Sequence, residues 1–173
     1  MTISNFQDKI RLRPATAGDI GFMRELYTGT RMAEMTASGL PEPAFKQFLA
    51  VQFAAQYQHY TTHYSADDFN IIEADGIPIG RFFVDYRRTE IRVVDITLAP
   101  QARGQGLGSY LFQTIFDQAR VRKCPVTIHV DRSNRALRWY ERMGFTIKAN
   151  SDPLYLLMEW TPSGESCRSA THS

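Results

Sequence analysis

Polar and apolar residues alternate over residues 9–13 (KIRLR) and stop at Pro14, which predicts a short strand. Asp19 then stands where it can cap a helix over residues 20–35, with Ile20, Met23, Leu26, Tyr27 and Thr30 on one side. After a break at SGLPEP, helical spacing returns over residues 44–62 through Phe45, Phe48, Leu49, Gln52, Gln56 and His59. Val51 and Phe53 widen that apolar band, and Phe45, Phe48 and Phe53 are expected to pack against a sheet. The stretch FNIIEADGIPIGRFFVDY holds two β-rich runs around Asp75 and Gly76, both tolerant of the positive φ of a tight hairpin turn. With EIRVVDITL it predicts a three-stranded antiparallel meander over residues 69–98.

Further along, Leu107, Leu111, Ile115 and Ala119 recur every fourth residue and mark a helix ending before Pro125. VTIHV is the next strand, and the helix between implies that it runs parallel to the strand ending at Leu98. A helix over residues 134–143, stopped by Gly144, leads to the strands FTIK and PLYLLMEW. The polar tail, residues 161–173, is expected to be disordered. The order β-α-α-β-β-β-α-β-α-β-β describes one mixed α/β domain over residues 1–160.

Composition narrows the function classes. Twenty basic against eighteen acidic residues leave a net charge of +2, too mild to imply nucleic acid or an anionic membrane. No window approaches the roughly 18 apolar residues of a membrane span, and no apolar leader opens the chain, so a cytoplasmic location is expected. Cys124 and Cys167 form no CxxC pair, so neither a metal nor a disulfide is indicated.

The chemistry concentrates in LAPQARGQGLGSY, residues 98–110. A strand, a glycine-rich turn and a helix in succession aim the helix's unbonded N–H groups at whatever sits before it, with about half a positive charge from the macrodipole. An anion fits there; glycines let a phosphate reach the amides, and Arg103 can add a charged bond. The dinucleotide fingerprint fails at Ser109 and at its place in the element order, and a Walker A loop lacks its lysine.

Arg103, Gly106 and Gly108 match Arg/Gln-x-x-Gly-x-Gly/Ala, and Gln101, Gly104 and Gly106 match it one step earlier. NRALRWYERMGF, residues 134–145, follows one strand later. Together these resemble the coenzyme A loop and the Asn-to-Tyr segment of the GNAT superfamily of acyl-CoA-dependent N-acyltransferases, with Ala136 set one residue early. The resemblance covers about residues 9–160. It implies the GNAT fold: a mixed, mostly antiparallel sheet of about seven strands flanked by four helices, with a splayed parallel pair forming the CoA cleft.

The resemblance also implies roles. The backbone of Arg103, Gly104, Gln105, Gly106, Leu107, Gly108 and Ser109 would hold the pyrophosphate of acetyl-CoA. Ile96 and Leu98 would pair with the pantetheine arm, Asn134 would bond to it, and the Leu98 N–H would stabilise an oxyanion. Tyr140 would give the leaving thiolate a proton, and Asp95 is the first candidate base unless it only pairs with Arg81 or Arg92. Glu90, at a turn where exposed charge is ordinary, is a weaker base, and His129 is a further residue able to relay a proton through water. The first two helices would roof the acceptor, an amine of a small molecule or peptide, with Arg31, Gln56 and Tyr60 as candidate contacts. The same motifs would serve a catalytically silent acyl-CoA-binding module, and a homodimer is compatible with either reading.

Overall fold

A computed structural model describes Phe6, residues 8–149 and residues 152–162; the polar tail beyond Pro162 lies outside the described residues. The described residues form seven strands: β1 (Ile10–Pro14), β2 (Phe69–Ala74), β3 (Ile77–Tyr86), β4 (Ile91–Leu98), β5 (Val126–Asp131), β6 (Thr146–Ala149) and β7 (Tyr155–Trp160). Four helices interleave: α1 (Ile20–Arg31), α2 (Glu42–His63), α3 (Leu107–Arg122) and α4 (Leu137–Arg142), with a single helical turn at Met35–Ser38. The strands form one sheet in the order β1-β2-β3-β4-β5-β7-β6. The pair β4 and β5 is parallel, in register from Ile91 against Val126 to Val93 against Ile128, as the intervening helix requires. No helix among the described residues is long and apolar enough to cross a membrane.

Local chemistry explains most boundaries. The β2–β3 hairpin turns on Asp75 and Gly76, both at positive φ (50° and 78°). The first helix stops at Arg31 instead of running to residue 35, and two short turns carry the chain to Gly39. The last helix begins at Leu137, three residues late, because the Asn134 side-chain oxygen takes the Ala136 N–H at 2.8 Å and holds the preceding residues in a turn.

Two compact units emerge, one holding residues up to 85 and 95–108, the other residues 86–94 and 109 onward. In the first, Tyr27 of α1 meets Phe53 of α2 at 5.8 Å between ring centroids, and Tyr60 closes on Phe83 of β3 at 5.8 Å. Phe45, Leu49 and Phe53 are buried, whereas Phe48 and Val51 are 46% and 66% exposed, so the expectation that they join the apolar band is corrected. Four-residue spacing through Phe45, Leu49 and Phe53 sets the buried stripe, and a residue one or two positions off it turns outward. At Gly80 a Cβ would lie 2.6 Å from the Thr97 carbonyl oxygen, a measure of how closely β3 approaches the end of β4.

Asp19 does not cap α1 in the usual way. Its buried carboxylate turns back to accept the Thr16 N–H at 2.8 Å and both terminal nitrogens of Arg13 at 2.8 Å, while Arg13 Nε bonds Glu73 at 2.5 Å. The Arg13 guanidinium first, with the Thr16 bonds, holds the Asp19 carboxyl well below the usual carboxylate range, outweighing burial. A depressed folded-state pKa adds stability that is complete above the unfolded value of about 3.9 and drains away as pH falls. Asp19→Asn is therefore expected to cost about 2 kcal/mol at neutral pH in urea melts. The gap to the native chain should narrow as pH drops below about 4.

The second unit is centred on aromatic rings: Phe116 stacks on Trp160 at 4.2 Å, and Phe112 meets Trp139, Tyr140 and Phe145 at 5.5 to 5.9 Å. β5 pairs antiparallel with β7 from Val126 against Trp160 to Asp131 against Tyr155, and β6 adds the outer edge.

Candidate functional site

The glycine-rich turn takes the shape that its composition requires. After β4, a 3-10 turn at Pro100–Ala102 buries Ala102 and leaves Arg103 extended. Gly104 and Gly106 then adopt the left-handed conformation (φ 72° and 84°), and α3 starts at Leu107, which is 3% exposed. Among the described residues, a Cβ on Gly104 would meet nothing within 4 Å, and one on Gly106 only Phe6 Cε2 at 3.9 Å. Among the described residues the turn stands open ahead of a sixteen-residue helix, whose first amides have no intrahelical acceptor, and such a cradle of glycine backbone and helix N-terminus suits an anion. Such a cradle fits a diphosphate.

Arg103 braces the turn from its own side chain. Its Nε donates to the Leu98 carbonyl at 2.9 Å, and Gln105 Nε2 donates to the Gln101 carbonyl at 2.8 Å, so both side chains brace the turn. Ile96 and Leu98 stand half-buried in β4.

Asp95 pairs with Arg81, not Arg92. Arg81 is 3% exposed, its Nη2 lies 2.5 Å from Asp95 Oδ2, and it donates to Gln56 Oε1 at 3.2 Å. Beyond that ion pair, Arg81 Nε and Asp95 Oδ2 are both buried without a hydrogen bond among the described residues. Thr97 Oγ1 donates to the other Asp95 oxygen at 3.1 Å. Gln56 is thus committed to Arg81. Arg31 is held by Glu34 at 2.9 Å and by the Tyr27 hydroxyl at 2.8 Å, and Tyr60 packs among Phe69 and Phe83.

In the second unit, Tyr140 is 5% exposed among Phe112, Trp139 and Phe145. Glu90 is not the exposed turn charge expected from its position. It accepts from Arg87 at 2.8 Å, from Arg92 at 3.2 Å and from the Thr127 hydroxyl at 2.9 Å. Burial pulls the Glu90 pKa upward, but the Thr127 bond and the two arginines hold it below its ordinary value. A carboxylate bonded this way is a structural anchor for Arg92.

Arg92 in turn reaches His129. Its Nη1 lies 3.3 Å from His129 Nδ1, and because a guanidinium only donates, Nδ1 must accept and the ring proton sits on Nε2. Partial desolvation, followed by the Arg92 and Arg87 charges, lowers the His129 pKa. A cavity of about 190 Å³ beside it is lined by Ala149, Asp152, Tyr155 and Leu157. The Arg92–Glu90–Thr127 group was not legible as a unit in the sequence. An arginine inside a run as apolar as IRVVDITL was its one available signal, since a cation there needs a partner.

Residues 65–147 match the family model described as an acetyltransferase (GNAT) domain. No curated protein matches the sequence. Among solved structures, the chain is similar to the PaiA N-acetyltransferase of Thermoplasma acidophilum in complex with coenzyme A. That match has 16% identity and a TM-score of 0.62, over 88% of this chain and 99% of that one. It is similar to Arabidopsis thaliana Naa50 in complex with the bisubstrate analogue CoA-Ac-MVNAL, at 14% identity and TM-score 0.56, over 88% and 99%. It also aligns with N-acetylglutamate synthase of Neisseria gonorrhoeae complexed with coenzyme A and L-arginine, at 18% identity and TM-score 0.56, over 90% of this chain but 34% of that one. The seven-stranded order with its parallel β4 and β5, the glycine turn that opens α3 and the match of residues 65–147 to the GNAT acetyltransferase model agree: the fold of the chain is the GNAT fold.

Proposed function

We propose that this protein transfers an acetyl group from acetyl-CoA to a primary amine of a small molecule or peptide, by direct attack within a ternary complex. The observation that carries the reading is the turn of two left-handed glycines ahead of α3, open at their Cβ positions among the described residues and inside the segment the family model matches. The structures to which the chain is similar include complexes with coenzyme A, which supports the same cosubstrate here.

Acetyl-CoA supplies an acyl group activated as a thioester. The residues of this chain have to do the rest. The backbone of residues 103–109 is the proposed holder of the diphosphate, and the β4 end at Ile96 and Leu98 that of the pantetheine arm. Asn134, its oxygen engaged with Ala136, keeps its amide nitrogen as the donor to that arm.

An alkylamine with pKa near 10.4 must lose a proton before it attacks, at a cost of about 4–5 kcal/mol at neutral pH. The amine nitrogen then bonds the acyl carbon, the C–S bond breaks, and the thiolate needs a proton, which Tyr140 is proposed to give. Asp95 is proposed as the acceptor of the amine proton or the charge that steadies it, with Arg81, Gln56 and Thr97 fixing its orientation. For His129 the tautomer decides: Nδ1 faces Arg92, so its exposed contribution is an Nε2–H donor.

The burial of Tyr140 and the pairing of Asp95 with Arg81 also favour a second reading, an acyl-CoA-binding module that does not turn over. Release of free thiol from acetyl-CoA against a panel of amines, peptides included, separates the two. Turnover is expected, and Tyr140→Phe is expected to lower kcat by about 100-fold or more with KM for acetyl-CoA unchanged. Binding of acetyl-CoA with no thiol release for any acceptor would favour the silent module.

A further inference from the structure

We propose that His59 and His63, one turn apart on the exposed side of α2, form a surface site for a divalent transition-metal ion such as Cu²⁺ or Zn²⁺. The two residues stand at i and i+4 of a twenty-two-residue helix, the spacing that puts two imidazoles on one face. Both are exposed, and their ring centroids are 4.3 Å apart with 31° between planes. Two nitrogens bound at about 2.0–2.1 Å in a tetrahedral arrangement lie roughly 3.3 Å from each other, a separation that small χ changes of rings this close can reach.

The tautomer of His63 points the same way. Its Nδ1 lies 2.9 Å from the His59 carbonyl oxygen; a carbonyl only accepts, so Nδ1 carries the proton and the lone pair of Nε2 is left for a ligand. That is the arrangement in which a metal-binding histidine is oriented, its second ring nitrogen donating to a backbone carbonyl. Among the described residues no group of three or more His, Cys, Asp or Glu side chains converges to hold a metal, so the pair supplies two positions and water the others. Imidazole ligands and open positions favour Cu²⁺ over Zn²⁺ by the usual order of divalent affinities. The ion would staple the last turn of α2, next to the residue that ends it, Tyr64.

The proposal is independent of acyl transfer and is tested without it. Full-length chain without an affinity tag, stripped with a chelator, is titrated calorimetrically with CuCl₂ and, separately, with ZnSO₄. One ion per chain is expected, Cu²⁺ tighter than Zn²⁺, with a rise in melting temperature on binding. His59→Ala, His63→Ala and His63→Gln are each expected to weaken binding by at least about 10-fold, whereas a variant with Cys167→Ser and His172→Ala in the tail should bind as the parent does. Parental affinity in the His59 and His63 variants, loss of binding in the tail variant, or no binding at millimolar metal would each overturn the site.

Discussion

Gly106→Glu is expected to weaken acetyl-CoA binding by about 100-fold or more while the protein still folds. Gly106 sits at φ 84°, where any side chain is strained, and among the described residues the only atom within 4 Å of its Cβ position is Phe6 Cε2 at 3.9 Å. There is therefore room for the new side chain, and the damage comes from two sources. A left-handed non-glycine residue costs roughly 1–2 kcal/mol, which the turn can relieve only by turning its amides away. The carboxylate also brings negative charge to a helix N-terminus proposed to hold a diphosphate. A single like charge at 4 Å is worth about 4 kcal/mol at an effective dielectric constant near 20, so a 100-fold loss, about 2.7 kcal/mol, is a conservative expectation.

Gly39 supplies the control, because it has φ 71° and open space around it but lies in the turn before α2. Gly39→Glu should cost similar stability and leave affinity alone. Calorimetric titration with acetyl-CoA, alongside circular dichroism melts, reads both effects. Parental affinity in folded Gly106→Glu would remove the cradle as the phosphate site.

Arg81→Met should be the most destabilising of the substitutions considered, by about 3–5 kcal/mol in urea melts. The side chain of Arg81 is 4% exposed and that of Asp95 16%, so removing the cation strands a largely buried carboxylate. Gln56 also loses its donor, and Phe83 loses the guanidinium that lies 5.4 Å from its ring centroid. The double variant Arg81→Met, Asp95→Leu should regain most of the loss, because the penalty lies in the unpaired charge and not in missing attraction. A single variant as stable as the parent would mean that water or a shifted backbone already satisfies Asp95.

This pair bears on the mechanism. If Asp95 serves only to balance Arg81, the double variant should turn over at the parental rate; if it handles the amine proton, stability should return while kcat stays low. The readout is thiol release measured beside the melting curve of the same preparation.

How far the chain could be read in advance varied with the range of the interactions. The hairpin at Asp75 and Gly76, the stop at Gly144 and the glycine-rich turn before α3 were legible because each is a property of a few adjacent residues; the left-handed φ at Gly104 and Gly106 came with the structure. The parallel pairing of β4 and β5 followed from the helix between them, since such strands need a crossover. The exposure of Phe48 and Val51 was not legible. The α2 band looked wide in sequence, and which stripe faces inward depends on the partner surface supplied by α1, β2 and β3.

Charged residues mark the same limit more sharply. Arg13 joins Asp19 and Glu73 across 60 residues, Arg81 chooses Asp95 and Gln56, and Arg92 chooses Glu90, Thr127 and His129. Sequence alone determined the order of elements, the turn that opens α3 and the resemblance of residues 65–147 to the GNAT acetyltransferase model, because backbone conformation, hydrophobic period and motif spacing are local. Only the tertiary structure decided which cation neutralises Asp95, that Glu90 anchors Arg92 and which His129 nitrogen carries the proton. Each of these is set by distance and burial between segments far apart in the chain, where one ångström decides which partner a charge takes.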